Sequence, residues 1–137
     1  MYQTIILIGN LGSDPEMRYM ADGTAVTNFS MATNRKWTGN DGALKEEVTW
    51  FRVSVWGRQA EAVNQYLSKG RQVMVEGRLK PDPETGGPRV WAAQDGTSRA
   101  SFEVVARDVK FLSGNSDGGQ QAPAQSQATK QEDDIPF

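Results

Sequence analysis

Residues 47–57 read Glu47-Val48-Thr49-Trp50-Phe51-Arg52-Val53-Ser54-Val55-Trp56-Gly57 and carry the strongest period-two pattern in the chain. Successive side chains of a strand point to opposite faces. Phe51, Val53 and Val55 therefore make a core face, while Trp50, Arg52, Ser54 and Trp56 look the other way. Both faces of one strand in a small protein cannot belong to the same core. The outer face must meet solvent, a subunit or a ligand with a flat π surface.

Outward from this strand, the rest of the body reads as short strands. Ile5 to Gly9 is apolar on both pleat faces, which suits a buried strand. Turns follow at Asn10 to Pro15 and at Asp22-Gly23, and Ala25 to Asn34 forms the next strand, with Phe29 and Met31 facing the core. Trp37 to Gly42 looks like a hairpin tip. After the central strand, Arg58 to Ser68 reads as a short helix with Ala62, Val63, Tyr66 and Leu67 on one side and Gly70 placed to end it. Arg71 to Lys80 is a strand with Val73, Val75 and Leu79 on one face and Arg78 and Lys80 on the other. Pro81 to Ser101 is a long Pro/Gly-rich excursion around Trp91, and Phe102 to Leu112 makes the last strand. Five strands with one helix between the third and fourth is the element order of an all-β OB-fold, a small Greek-key barrel.

Composition removes whole classes of chemistry. The chain of 137 residues contains neither cysteine nor histidine, so thiolate or imidazole zinc sites, disulfides and histidine-assisted nucleophiles are excluded. Asp82 and Glu84 read as solvated turn residues rather than magnesium ligands. No cofactor and no catalytic constellation is expected. Met1 to Thr4 precedes only a five-residue apolar run, so neither a secretory signal nor a membrane span is expected, and the chain should be cytoplasmic.

The net charge of −2 hides an asymmetry. Residues 1–112 carry 14 basic and 13 acidic side chains, hence +1, whereas Lys130 stands against Asp117, Glu132, Asp133 and Asp134, hence −3. Residues 113–131 are rich in Gly, Gln, Ala and Ser without apolar periodicity and are expected to form a disordered linker. Residues 132–137 join the acidic Glu132, Asp133 and Asp134 to Ile135, Pro136 and Phe137 and read as a partner-binding tip. Three segments are thus expected: an OB-fold body over 1–112, the linker, and the tip.

The aromatic and basic residues suggest what the body binds. Indoles stack on any base for about 1–3 kcal/mol each, and arginine can pair with phosphate or stack through its cation. Trp50, Arg52, Trp56 and Arg58 interleave these groups, and the two indoles stand roughly 20 Å apart at strand rise. Trp37 joins them as a stacking candidate, with Trp91 as a further one. Arg35, Lys36, Arg71, Arg78, Lys80 and Arg89 are candidates for a nucleic-acid backbone path. These residues suit single-stranded nucleic acid without sequence preference. They leave open an RNA-binding OB protein, and also an interaction scaffold whose indole face is a subunit interface.

Beyond these patterns, the chain resembles the bacterial-type single-stranded DNA-binding protein family. The matching motifs are Ile8-Gly9-Asn10-Leu11-Gly12, Asp14-Pro15-Glu16-Met17-Arg18-Tyr19, Ala32-Thr33, Trp50-Phe51-Arg52-Val53, Tyr66-Leu67, Lys69-Gly70, Glu76-Gly77 and Asp133-Asp134-Ile135-Pro136-Phe137. The resemblance implies an OB-fold subunit of a homotetramer that coats single-stranded DNA during replication, recombination and repair, with the tip recruiting partner enzymes. It places base-stacking aromatics at Trp37, Trp50 and Trp56, and backbone contacts at Arg18, Arg52, Arg58, Lys69 and Arg71.

Overall fold

A computed structural model describes residues 1–112; the linker and tip expected at 113–131 and 132–137 lie outside the described residues. The strands are β1 (Ile5–Leu11), β2 (Glu16–Tyr19), β3 (Ala25–Thr38), β4 (Leu44–Trp56), β5 (Gln72–Leu79), β6 (Arg89–Ala92) and β7 (Ser98–Phe111), with α1 (Arg58–Tyr66) between β4 and β5. The sheet runs β1-β5-β7-β4-β3 and closes on itself where β1 meets β3, pairing Asn10 with Ala32 and Leu11 with Met31. Five strands thus make the expected barrel, with the helix between its third and fourth members. β2 extends the edge of β3, and β6 folds back on the start of β7. β4 and β7 pair in parallel; the other pairings are antiparallel.

Closure demands a close approach. A Cβ on Gly9 would lie 2.9 Å from the carbonyl carbon of Ala32, on the strand that β1 must reach. Only a residue without a side chain lets the two backbones pair there.

The barrel interior holds Leu7 and Leu11 from β1, Phe29 and Met31 from β3, Val53 and Val55 from β4, Val73 and Val75 from β5, and Val104 from β7. Val63 and Leu67 come from α1 and the residue just after it, and Ala60 is buried in its first turn. Thr27, fully buried, donates from Oγ1 to the Ala60 carbonyl at 2.7 Å and so fastens the first turn of the helix to β3. Gln59 fastens it to β7. β4 pairs with β7 only from Phe102 to Val105. Past that point Gln59 donates from Nε2 to the Arg107 carbonyl at 2.9 Å, and its Oε1 accepts the Val109 N–H at 3.0 Å. A side-chain amide thereby continues the ladder that the strand has left, satisfying backbone groups that would otherwise stay unpaired.

Several sequence expectations change. The stretch read as turns on either side of residues 16–19 contains β2, and the long excursion contains β6, so among the described residues two short strands are added to the five of the barrel. Each added strand is four residues long, too short to show a period. Trp37 lies within β3 rather than at a hairpin tip, because the ladder runs out to Thr38 paired with Leu44. The helix ends at Tyr66 with Leu67 already extended, and Gly70 belongs to the following turn, where its N–H donates to the Leu11 carbonyl at 2.8 Å. The buried side of the helix is Ala60, Val63 and Leu67, while Tyr66 is exposed and rests against Phe111 with ring centroids 6.2 Å apart. Leu79 is exposed at the end of β5. Nor is β1 buried on both faces: Leu7 points inward, but Ile6 and Ile8 are 59% and 54% exposed. Among the described residues no helix is long and apolar enough to cross a membrane.

Replacing Gln59 with Ala removes both bonds to β7. The expected loss is about 1–2 kcal/mol, as for two part-exposed hydrogen bonds, read as a lower urea midpoint at unchanged slope. A loss below about 0.5 kcal/mol would mean that water replaces the amide at no cost.

Candidate nucleic-acid interface

The alternation of β4 sets the site. With Val53 and Val55 in the core, Trp50 and Trp56 project outward and are 55% and 41% exposed, with Arg52 exposed between them. Their cross-strand partners on β3 are Ala32 opposite Trp50, Ser30 opposite Arg52 and Asn28 opposite Ser54. These partners are small or polar, which leaves the indole and the guanidinium standing above the sheet. The β6–β7 hairpin forms the other wall, carrying Trp91, 40% exposed, and Arg89. Between the walls lies a cleft of about 580 Å³ lined by Trp50, Arg52, Arg89 and Trp91, with Ser30 and Glu103 among its other lining residues.

The charges in the cleft are mixed. Glu103, opposite Arg52 in the parallel β4–β7 register, has a side chain only 12% exposed and pairs with Arg89 at 3.6 Å. The Arg89 guanidinium also lies 6.0 Å from the centre of the Trp91 ring. It is thus held between a carboxylate and an indole, facing the same space as Arg52. Asp14 and Glu16 add negative charge at the cleft edge.

The remaining candidates divide by position. Arg18 lies in one cross-strand row with Val26 and Trp56, so the outer face continues past the cleft toward β2. Arg58 opens α1, two residues after Trp56. Lys69 and Arg71 belong to the turn after the helix; the Lys69 N–H donates to Asp14 Oδ1 at 2.8 Å and the Arg71 carbonyl accepts the Leu11 N–H at 2.9 Å, which ties this turn to the cleft edge. Trp37 and Arg35 stand on the β3–β4 arm, on the face of the ladder opposite Trp50 by alternation, with the Arg35 guanidinium 5.0 Å from the Trp37 ring centre and paired to Glu47 at 3.4 Å. Lys36 is on the Trp50 face of the arm, opposite Glu46. Arg78 is on β5 and Lys80 just past its end; neither lines the cleft, but the Lys80 N–H donates to the Glu103 carbonyl at 2.8 Å, and Lys80 lines a second cavity of about 370 Å³ that shares Ser101 and Glu103 with the cleft.

Trp91 therefore shares the cleft with Trp50, whereas Trp56 and Trp37 lie outside its lining. Glu103 and Ser30 were not among the sequence candidates. Ser30 carried a signal, being the even-numbered neighbour of Asn28 on its strand. Glu103 carried none, because its place depends on the pairing of Arg52 on β4 with a residue 51 positions later.

The tip of the β6–β7 hairpin is locked by Asp95. Its Oδ1 accepts the Thr97 hydroxyl at 2.6 Å and the Thr97 N–H at 3.1 Å, and Arg99 pairs with Oδ2 at 3.6 Å. The Thr97 hydroxyl first, then its N–H, hold the Asp95 carboxyl below the ordinary aspartate range. Among the described residues, no group of three or more acidic side chains is placed to hold a metal ion.

Comparison with known proteins adds to this geometry. The model of the single-strand binding protein family matches residues 2–112. Two relatives from Neisseria meningitidis, of serogroups A and B, each named single-stranded DNA-binding protein, are 39% identical over 119 residues, covering 87% of this chain. The chain spans 64% of the length of these relatives. A solved Plasmodium falciparum SSB complex with ssDNA superposes with a TM-score of 0.67 at 29% identity, covering 82% of this chain and 97% of that one.

The Asp95 carboxyl should titrate below the usual aspartate range in carbon-detected NMR, and Thr97→Ala should raise it. A depressed carboxyl contributes stability that is present above its unfolded value and is lost as pH falls through its folded value. Acid should therefore loosen the hairpin tip, seen as line broadening at the backbone amides of residues 97 and 99, and at higher pH in the Thr97→Ala variant.

Proposed function

The chain belongs to the single-strand binding protein family, and from that membership we propose that it binds single-stranded DNA without reading its sequence. The observation that carries this is the convergence of Trp50 and Trp91 with Arg52 and Arg89 on one open cleft. Indole faces take any base, and guanidinium groups neutralise phosphates or stack, so neither discriminates among sequences. Arg18 and Trp56 continue the path along the outer face of β3 and β4, and Lys69, Arg71, Arg58, Trp37 and Lys36 serve it from its flanks. The role is binding rather than catalysis.

The working form in this reading is a homotetramer. Ile6 and Ile8, side by side on the outer face of β1 and next to Met74 of β5, are the support for it, since adjacent exposed isoleucines favour burial against another copy. The protein acts in the cytoplasm in replication, recombination and repair, with Asp133, Asp134, Ile135, Pro136 and Phe137 recruiting partner enzymes.

Adding oligo-dT should quench tryptophan emission at near-stoichiometric DNA. Trp50→Ala and Trp91→Ala should each weaken binding by about 1–3 kcal/mol; no quenching at all would sink the DNA reading. Affinity should fall as salt rises, and Arg52→Ala should reduce the slope of log K against log salt by about 0.7, one phosphate contact on a single strand. Light scattering should give a mass of four chains, and Ile6→Glu with Ile8→Glu should lower it; an unchanged tetramer would place the interface elsewhere.

A further inference from the structure

We propose that Gly12 is a positioning residue for Trp50: its missing side chain sets the attitude at which the indole stands at the cleft. A Cβ on Gly12 would fall 2.8 Å from Cη2 of Trp50, nearer still to Cζ3, and 3.1 Å from Ser30 Oγ. The six-membered ring of the indole thus occupies the space that any other residue at position 12 would fill. Trp50 reaches this place across β3, where its cross-strand partner is the small Ala32 and the diagonal neighbour is Ser30. Position 12, just past the end of β1, must be small for the same ring to come down there.

The backbone beneath cannot retreat. The Gly12 N–H donates to the Ser30 carbonyl at 2.9 Å, and the Ser13 and Ser30 hydroxyls are 3.0 Å apart. One residue earlier, Leu11 is tied through its N–H to the Arg71 carbonyl at 2.9 Å and through its carbonyl to the Gly70 N–H at 2.8 Å. The ring is the softer partner. Its contacting atoms are the far end of a half-exposed side chain, free to turn about χ1 and χ2 into the cleft or away from it. A methyl group at position 12 therefore changes the orientation of Trp50 while the barrel stays closed. The backbone of Gly12 is not in the left-handed region, so alanine meets no conformational obstacle of its own.

This inference rests on the DNA-binding reading for its consequence but not for its geometry, and the test separates the two. In a chain with Trp37, Trp56 and Trp91 replaced by Phe, Gly12→Ala should shift the emission maximum and the acrylamide quenching of Trp50 without DNA present. An unchanged Trp50 spectrum overturns the proposal. In the otherwise unaltered chain, Gly12→Ala should weaken oligo-dT binding roughly 3- to 10-fold, part of the roughly 5- to 160-fold that losing a whole stacking side chain brings. In a Trp50→Ala background the same change should do almost nothing, because its target is gone. Equal losses in both backgrounds overturn the proposal. If Gly12→Ala alone does not fold, adding Trp50→Ala should restore folding by removing the clash, and failure to restore it also overturns the proposal. A shifted Trp50 spectrum in a chain that binds no oligo-dT at all supports the positioning role and rejects the DNA reading.

Discussion

Two residue pairs, Asn10 with Ala32 and Leu11 with Met31, turn an open sheet into a barrel. Until they form, the alternation on β4 distinguishes two faces but not an inside from an outside. Closure gives Val53 and Val55 a core and leaves Trp50, Arg52 and Trp56 on the other side. It also brings the segment after β1 against β3, which sets Gly12 below Trp50 and Asp14 at the cleft edge. The same contact thus determines both the core and the floor of the site.

The cleft combines opposite tendencies. Two guanidinium groups face it, yet Glu103 is held among them with little access to water. Burying a carboxylate is unfavourable unless it is paired, and Arg89 supplies that pairing while remaining against Trp91. Arg89 therefore does two things: it neutralises an internal anion and fixes the second indole wall. Exposed ion pairs elsewhere, such as Arg35 with Glu47, are of the solvent-screened kind that contributes little.

Much of this was legible in the chain because strand alternation is local. Trp50, Phe51, Arg52 and Val53 reveal their two faces without knowledge of any other strand, and the barrel order follows from the spacing of such runs. What stayed hidden depends on pairing between distant segments. Ile6 and Ile8 look like core residues because a face covered by another layer and a face left open on one chain have the same pattern. The four-residue strands β2 and β6 give no period, so Trp91 appeared in a loop although it stands on a strand wall. The side of the arm on which Trp37 lies required the length of the β3–β4 ladder, which runs well past the last core residue of either strand.

The parallel pairing of β4 with β7 has a consequence in time. Phe51 to Ser54 meet Phe102 to Val105, so one wall of the cleft cannot face the other until the chain has been made through its final strand. Contacts of such sequence separation form late and slowly, and a chain emerging from its N-terminus has Trp50 well before it has Trp91. An incomplete chain would carry an indole and a guanidinium on a bare strand but no cleft. The geometry of the cleft is therefore a record of barrel completion: only a chain made through β7 presents both walls.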